Sequence, residues 1–95
     1  MTVPVSMKHI TILEPGEPDV LAVQTSEVPK LSENEVLIRV EAAGVNRPDV
    51  LQRKGSYNPP PGASQIPGLE VAGEVVALAE GVTSFKIGDK VCALV

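Results

Sequence analysis

Nine prolines and eight glycines divide this chain of 95 residues into short segments. Proline lacks a backbone N–H and glycine favours turns, so a chain interrupted this often favours short strands over long helices. Four of the prolines fall between Ser56 and Pro67, where no ladder of backbone hydrogen bonds can form. We expect a stiff, irregular loop there, and loops of this length in compact domains are often functional.

Alternating or β-branched apolar residues predict five short strands. They cover residues 7–13, 20–28, 35–44, 71–79 and 91–95. In the third strand every second residue is apolar, which predicts that one face lies on a core while the other faces water. The predicted core face consists of Val36, Ile38, Val40 and Ala42. Gly73, inside the fourth strand, indicates a bulge or a close approach of two backbones.

Residues 48–54 predict one short helix, because Pro48 suits the first helical position and Gly55 lies just past the end. A proline there disfavours helical geometry in the residue before it. Arg47 is therefore the expected cap, which leaves the side chain of Asn46 for another task. In the competing interpretation, Asn46 and Asp49 only cap the helix and balance its dipole. The predicted fold class is mainly β: a partly open barrel of short strands with one short helix.

The composition excludes several classes of function. A net charge of −4, with one tyrosine, one phenylalanine and no tryptophan, argues against nucleic-acid binding. One cysteine and one histidine cannot form an internal disulfide or a tetrahedral zinc site, and Cys92, in an apolar run, is expected in the core. No apolar run approaches about 18 residues and no secretory signal is visible, so we expect a cytoplasmic protein that does not bind membranes.

The most specific motifs lie between Asn46 and Gly73. Residues 52–63 read QRKGSYNPPPGA, and residues 68–73 read GLEVAG. With these motifs, nearly the whole chain resembles the N-terminal, GroES-like catalytic domain of the medium-chain dehydrogenase/reductase superfamily. Within that superfamily it is most similar to the zinc-free NAD(P)H:quinone oxidoreductase branch. Residues 52–63 look like those of the tumour-suppressor-inducible quinone reductases and their bacterial relatives.

The resemblance also shows where this chain departs from the zinc-dependent alcohol dehydrogenases. Those enzymes place a cysteine ligand in Gly-x-Cys-x-x-Asp and a histidine ligand in Gly-His-Glu-x-x-Gly. The matching positions here hold Asn46 and Leu69, whereas Asp49 and Glu70 are kept. Neither an amide nor a leucine replaces a thiolate or an imidazole on zinc, so the resemblance implies that no catalytic metal binds.

The resemblance implies hydride transfer from NADPH to a quinone, whose reduced anion is already delocalised. It places Asn46 and Tyr57 at the substrate and the nicotinamide, as catalytic and cofactor-binding residues, and makes Asp49 a third catalytic candidate. An amide and a phenol both donate hydrogen bonds at neutral pH. The competing interpretation for Tyr57 is that it packs on the proline run.

No Gly-x-Gly-x-x-Gly fingerprint for a dinucleotide is present in the sequence. In the resembled family, a second domain that follows this one carries the fingerprint. We therefore expect residues 1–95 to be an incomplete catalytic domain, truncated at its C-terminus and inactive alone. The full-length enzyme is expected to be a homo-oligomer that reduces a small-molecule quinone or enone.

Three other functions stay open. The first is an enoyl or alkenal reductase of the same superfamily, because reduction of quinones and enones uses similar donors. The second is a chaperonin cofactor, although that function needs a mobile, glycine-rich loop early in the chain, and the long loop here falls late. The third is a non-catalytic binding module that has kept the fold.

Overall fold

The computed structural model describes residues 3–95 of the chain. Its elements, in chain order, are β1 (Ser6–Ile12), a 3₁₀ turn (Pro18–Val20), β2 (Leu21–Glu27), β3 (Val36–Ala43), α1 (Arg47–Lys54), β4 (Glu70–Leu78) and β5 (Lys90–Leu94). Each predicted strand and the predicted helix are found within one residue at either end. The mainly β class with one short helix is therefore confirmed, and the strands form two open sheets.

The chain divides into two compact units, of which the first is built from three separated stretches of sequence and the second from two. The first, here called the sheet unit, contains Val28–Gly44 and Glu70–Val95 together with residues 3–5. Its sheet is antiparallel, with β4 between β3 and β5. The central strand carries the buried apolar side chains Val75, which is fully buried, and Val76.

The pairing of β3 with β4 is irregular, and this changes which side chains are covered. The register shifts between Leu37 and Ile38 and again between Val40 and Ala42. A register shift turns the following side chains toward the other face of the sheet. The prediction that every second residue of β3 lies on a core is therefore wrong: Val40 is 51% exposed, and Ala42 is exposed as well.

The predicted close backbone approach at Gly73 is confirmed. Gly73 is buried and pairs with Val40, between the two register shifts. A Cβ atom at this position would overlap the carbonyl oxygen of Arg39 and would lie 2.9 Å from Cγ2 of Ile38. Only a residue without a side chain fits there.

The second unit, here called the helix unit, contains Ser6–Glu27 and Val45–Leu69. Strands β1 and β2 form an antiparallel hairpin in continuous register from Ser6 opposite Glu27 to Ile12 opposite Leu21. Helix α1 and the proline-rich loop, residues 56–67, make up the rest of this unit.

The end of α1 is fastened to the turn that joins β1 and β2. The backbone N–H of Gly16 donates to the carbonyl oxygen of Arg53 at 2.9 Å, and Nε of Arg53 donates back to the carbonyl oxygen of Gly16 at 3.0 Å. Gly55 ends the helix in a left-handed conformation with a φ of 86°, and a Cβ atom there would lie 2.9 Å from Cβ of Pro15. Arg53 therefore has a structural role.

Two further predictions concern the burial of Cys92 and membrane-spanning segments. Cys92 is exposed, so its predicted place in the core is wrong: it lies on β5, an edge strand that covers only one side of its neighbour. No helix within residues 3–95 is long and apolar enough to cross a bilayer.

Candidate functional site

Asn46 and Asp49 form the N-terminal cap of α1. Asn46 is the cap residue, with extended backbone angles, and its N–H donates to Oδ2 of Asp49 at 2.9 Å. In return, the Asn46 side chain faces the backbone N–H of Asp49, which also bonds the Asn46 carbonyl oxygen at 3.0 Å. This reciprocal arrangement is a capping box, and it supports the first turn of the helix.

The prediction that Arg47 caps the helix is therefore wrong. Arg47 is the first helical residue, and Pro48 takes the second position. Proline is tolerated throughout the first turn because the N–H groups of that turn have no partner inside the helix. The capping interpretation thus accounts for the amide oxygen of Asn46. The hydrogen bond that Asn46 is predicted to donate to a ligand would come from its amide nitrogen instead.

The two carboxylate oxygens of Asp49 have different surroundings. Oδ2 accepts the bond from Asn46, whereas Oδ1 is buried and has no hydrogen-bond partner among the residues that the structure describes. Buried acceptors are nearly always paired, because an unpaired one costs the full desolvation of the group. The position beside Oδ1 would therefore favour a hydrogen-bond donor.

Tyr57 lines a cleft of about 460 Å³ in the helix unit. The phenol is half-buried, and the polar groups around it come from residues that are far apart in sequence. These include His9, Glu14, Gln52, Asn58 and Gln65. None of the lysines and arginines that the structure describes lines the cleft. A lining that holds the carboxylate of Glu14 and no cation suits an uncharged polar ring better than a phosphate group.

The structure does not bring the three predicted site residues into one place. Asn46 and Asp49 lie at the first turn of α1, whereas Tyr57 follows Gly55 at the other end. An eight-residue helix rises about 12 Å, so the two positions are separated by the length of the helix. Asn46 and Asp49 are absent from the lining of the Tyr57 cleft.

Gln52 is a cleft residue that the sequence patterns did not single out. Its Nε2 donates to the carbonyl oxygen of Gln65 at 2.9 Å, and both residues line the cleft with Tyr57. A signal for it exists in the sequence. A loop rich in proline has few N–H groups of its own, so its carbonyl oxygens need hydrogen-bond donors from elsewhere in the chain. The identity of the partner depends on the fold.

A larger hollow of about 520 Å³ lies in the sheet unit. Its walls are mostly small apolar residues at the ends of β3, β4 and β5, and the charged side chain of Glu70 and the thiol of Cys92 also line it. None of the predicted site residues lines it. The hollow lacks the convergent polar groups that orient a ligand, so the cleft at Tyr57 is the better candidate for binding.

The positions that ligate zinc in the alcohol dehydrogenases do not fit a metal here. Asn46 offers an amide that already caps the helix, and Leu69 has no donor atom. Within residues 3–95, no group of three or more His, Cys, Asp or Glu side chains is placed to hold a metal ion. Zinc in proteins takes thiolate, imidazole or carboxylate ligands.

Comparisons with known proteins agree on one family. The profile of the alcohol dehydrogenase GroES-like domain matches residues 32–95. The quinone oxidoreductase of Lama guanicoe is 44% identical over 90% of this chain, which spans 26% of that protein. The human synaptic vesicle membrane protein VAT-1 homolog-like protein superposes with a TM-score of 0.86 and 33% identity over 95% of this chain and 29% of its own. A mycobacterial protein complexed with NADPH superposes with a TM-score of 0.78 and 35% identity over 93% of this chain and 27% of its own.

Proposed function

The chain belongs to the family of alcohol dehydrogenase GroES-like domains, in the quinone oxidoreductase branch of the medium-chain dehydrogenase/reductase superfamily, and we propose that it forms the substrate side of an NAD(P)H-dependent quinone reductase that works without zinc. The observation that carries this proposal is the pair Asn46 and Leu69, neither of which is a zinc ligand, in a chain similar to quinone oxidoreductases. The chain spans about a quarter of those relatives, so the activity is proposed for the full-length enzyme.

The proposed reaction matches the donors that the chain offers. Oxidation of an alcohol requires stabilisation of an alkoxide, for which a metal ion is the usual device. Reduction of a quinone forms an anion that is already delocalised, so neutral hydrogen-bond donors suffice. Asn46 contributes an amide and Tyr57 contributes a phenol. Asp49 fixes the backbone of Asn46 through the 2.9 Å bond and so holds the amide in place before substrate arrives.

The cofactor NADPH supplies the hydride when it is bound. The polar lining of the Tyr57 cleft fits the nicotinamide end of such a molecule, because it offers no lysine or arginine among the described residues to pair with the phosphates, and the carboxylate of Glu14 would repel them. We therefore assign to this cleft only contacts with the nicotinamide end, through Tyr57. The contact predicted for Asn46 would be made from outside the cleft, at the other end of α1. The 95-residue chain alone is expected to be inactive.

The test separates capping from catalysis at Asn46. In the full-length enzyme, Asn46→Asp keeps an oxygen that caps the helix but removes the amide donor, so the melting temperature should hold while kcat/KM for a quinone falls about 100-fold. Tyr57→Phe removes the phenol and should lower kcat/KM about tenfold. Asn46→Ala removes cap and donor together and should also cost about 1 kcal/mol of stability.

Unchanged kcat/KM in both Asn46→Asp and Tyr57→Phe would contradict the assignment of these donors. The same assay with a conjugated enone decides the alternative reductase function: a higher kcat/KM for the enone would assign the enzyme to that substrate class. Turnover of neither substrate by the full-length protein would favour a non-catalytic module.

A further inference from the structure

The proline-rich loop, residues 56–67, carries Tyr57 but has little means to hold itself in place. Pro59, Pro60, Pro61 and Pro67 contribute no backbone N–H. The hydrogen bonds within the loop are local: Ala63 N–H donates to the carbonyl oxygen of Pro60 at 3.0 Å, and Ile66 N–H donates to Oγ of Ser64 at 3.1 Å. Local bonds of this kind shape a turn without fastening it to the rest of the unit.

The distal half of the loop is fastened by a side chain of α1. Nε2 of Gln52 donates to the carbonyl oxygen of Gln65 at 2.9 Å, across 13 residues of sequence. The near end is fixed separately, because Ser56 N–H donates to the carbonyl oxygen of Leu51 at 2.8 Å. The loop is thus held to the helix at both ends, and Tyr57 lies between these two points.

We propose that Gln52 is a positioning residue that latches the proline-rich loop to α1 and thereby keeps Tyr57 in its cleft. Gln52 and Gln65 themselves line this cleft with Tyr57, so loss of the hydrogen bond between them would open the wall of the cleft. The loop backbone is stiffened by its prolines, so the loss of one tether moves a large part of it together. The consequence for catalysis rests on the proposed function of Tyr57, whereas the latch itself does not.

The composition supplies a direct probe of the latch. Tyr57 is the one tyrosine of the chain, and there is no tryptophan, so the intrinsic fluorescence of the 95-residue chain reports on this residue. Acrylamide quenching measures how much of the phenol solvent can reach. Loss of one hydrogen bond shifts the ratio of open to closed loop about five-fold. We therefore expect Gln52→Met, which keeps the length of the side chain but has no donor, to raise the quenching constant.

Two further variants serve as controls. Gln52→Lys restores an N–H donor on a longer stem and should bring quenching back toward that of the wild type. Gln24→Met makes the same chemical change at an exposed residue of β2 in the same unit and should leave quenching unchanged. Far-ultraviolet circular dichroism and urea unfolding of all variants separate loop opening from unfolding.

Increased quenching in Gln52→Met that is reversed in Gln52→Lys supports the latch. Quenching equal to the wild type in a folded Gln52→Met variant overturns it, and so does equal quenching in the Met and Lys variants. If Gln52→Met unfolds the chain while Gln52→Lys stays folded with wild-type quenching, the requirement for a donor is again supported; if both unfold, the role of Gln52 is general stability and the proposal fails.

Activity of the full-length enzyme then links the latch to catalysis. Gln52→Met should raise KM for the quinone about five-fold with a smaller effect on kcat, because the latch organises the site before substrate binds. If quenching rises but KM and kcat stay unchanged, the latch stands and the proposed role of Tyr57 is wrong. If quenching is unchanged, the latch is wrong whatever the enzyme reduces.

Discussion

The close contacts around position 73 allow only glycine there. Gly73 lies opposite Val40, at the point where the register of β3 shifts against β4. The strands approach so closely there that a Cβ atom would meet the backbone of Arg39. The atoms in the way are mostly backbone atoms of a paired strand, which cannot move without breaking the sheet. Gly68, by contrast, needs its φ of 120° but faces open space.

We therefore predict that Gly73→Ala destabilises the chain by about 1–3 kcal/mol, because the added methyl group forces the two strands apart. Gly68→Ala should cost about 1 kcal/mol, from backbone strain alone. Urea unfolding followed by circular dichroism measures both. If Gly73→Ala cost no more than Gly68→Ala, the close approach at β3 would be less rigid than we infer.

At the scale of elements, the helix unit is held together by polar contacts at the two ends of α1. The capping box at Asn46 and Asp49 closes the first turn, and the last turn is fastened to the β1–β2 connection through Arg53 and Gly16. The helix has eight residues, too few to be stable alone, and none of its side chains is fully buried. Contacts at its ends therefore matter more than its intrinsic propensity.

The fastening by Arg53 can be tested with a matched pair of neighbours. Arg53→Met removes the bond from Nε to the carbonyl oxygen of Gly16, and we expect a loss of about 1 kcal/mol and faster amide exchange at Gly16. Lys54→Met makes the corresponding change at the exposed next residue and should leave both quantities nearly unchanged. Equal effects of the two substitutions would mean that charge near the helix C-terminus, rather than the bond, stabilises this end.

At the scale of the whole molecule, the chain buries few large apolar side chains. Among residues 3–95, Val75 and Val76 are the buried hydrophobic residues, whereas Leu94 is 85% exposed and Val95 is 71% exposed. Leu94 lies on β5, which is the edge strand of its sheet. Exposed apolar edge strands present unpaired N–H and carbonyl groups to other chains, and they favour association.

We predict that the 95-residue chain associates as its concentration rises, with β5 at the contact. Leu94→Lys should shift the chain toward the monomer, because a charge on an edge strand opposes pairing. Val5→Lys is the matched control: Val5 is also 85% exposed but lies outside the strands, so association should persist. Sedimentation velocity or light scattering measures the change. A wild-type chain that stays monomeric at high concentration would contradict the prediction.

The candidate site could be predicted from the sequence only in part. Asn46, Asp49 and Tyr57 are predicted as site residues because they stand in recognisable motifs, and this role stays a prediction. The capping interpretation of Asn46 and Asp49 is confirmed by the structure. The prediction of Arg47 as the cap was wrong. Proline can occupy more than one position of the first turn, so the residue at which the helix begins depends on which side chain reaches the free N–H groups. The separation of Asn46 from Tyr57 by the length of α1 was also missed.

The sequence by itself determined the order and bounds of the elements and the mainly β class. Prolines without N–H groups, glycines at turns and the period of apolar residues act within a few positions, so they can be read along the chain. The tertiary structure decided which residues meet: the register shifts of β3, the overlap at Gly73, the exposure of Cys92, and the contacts of Gln52 with Gln65 and of Arg53 with Gly16. These depend on partners far apart in sequence, and no local pattern encodes which distant backbone group a side chain will reach.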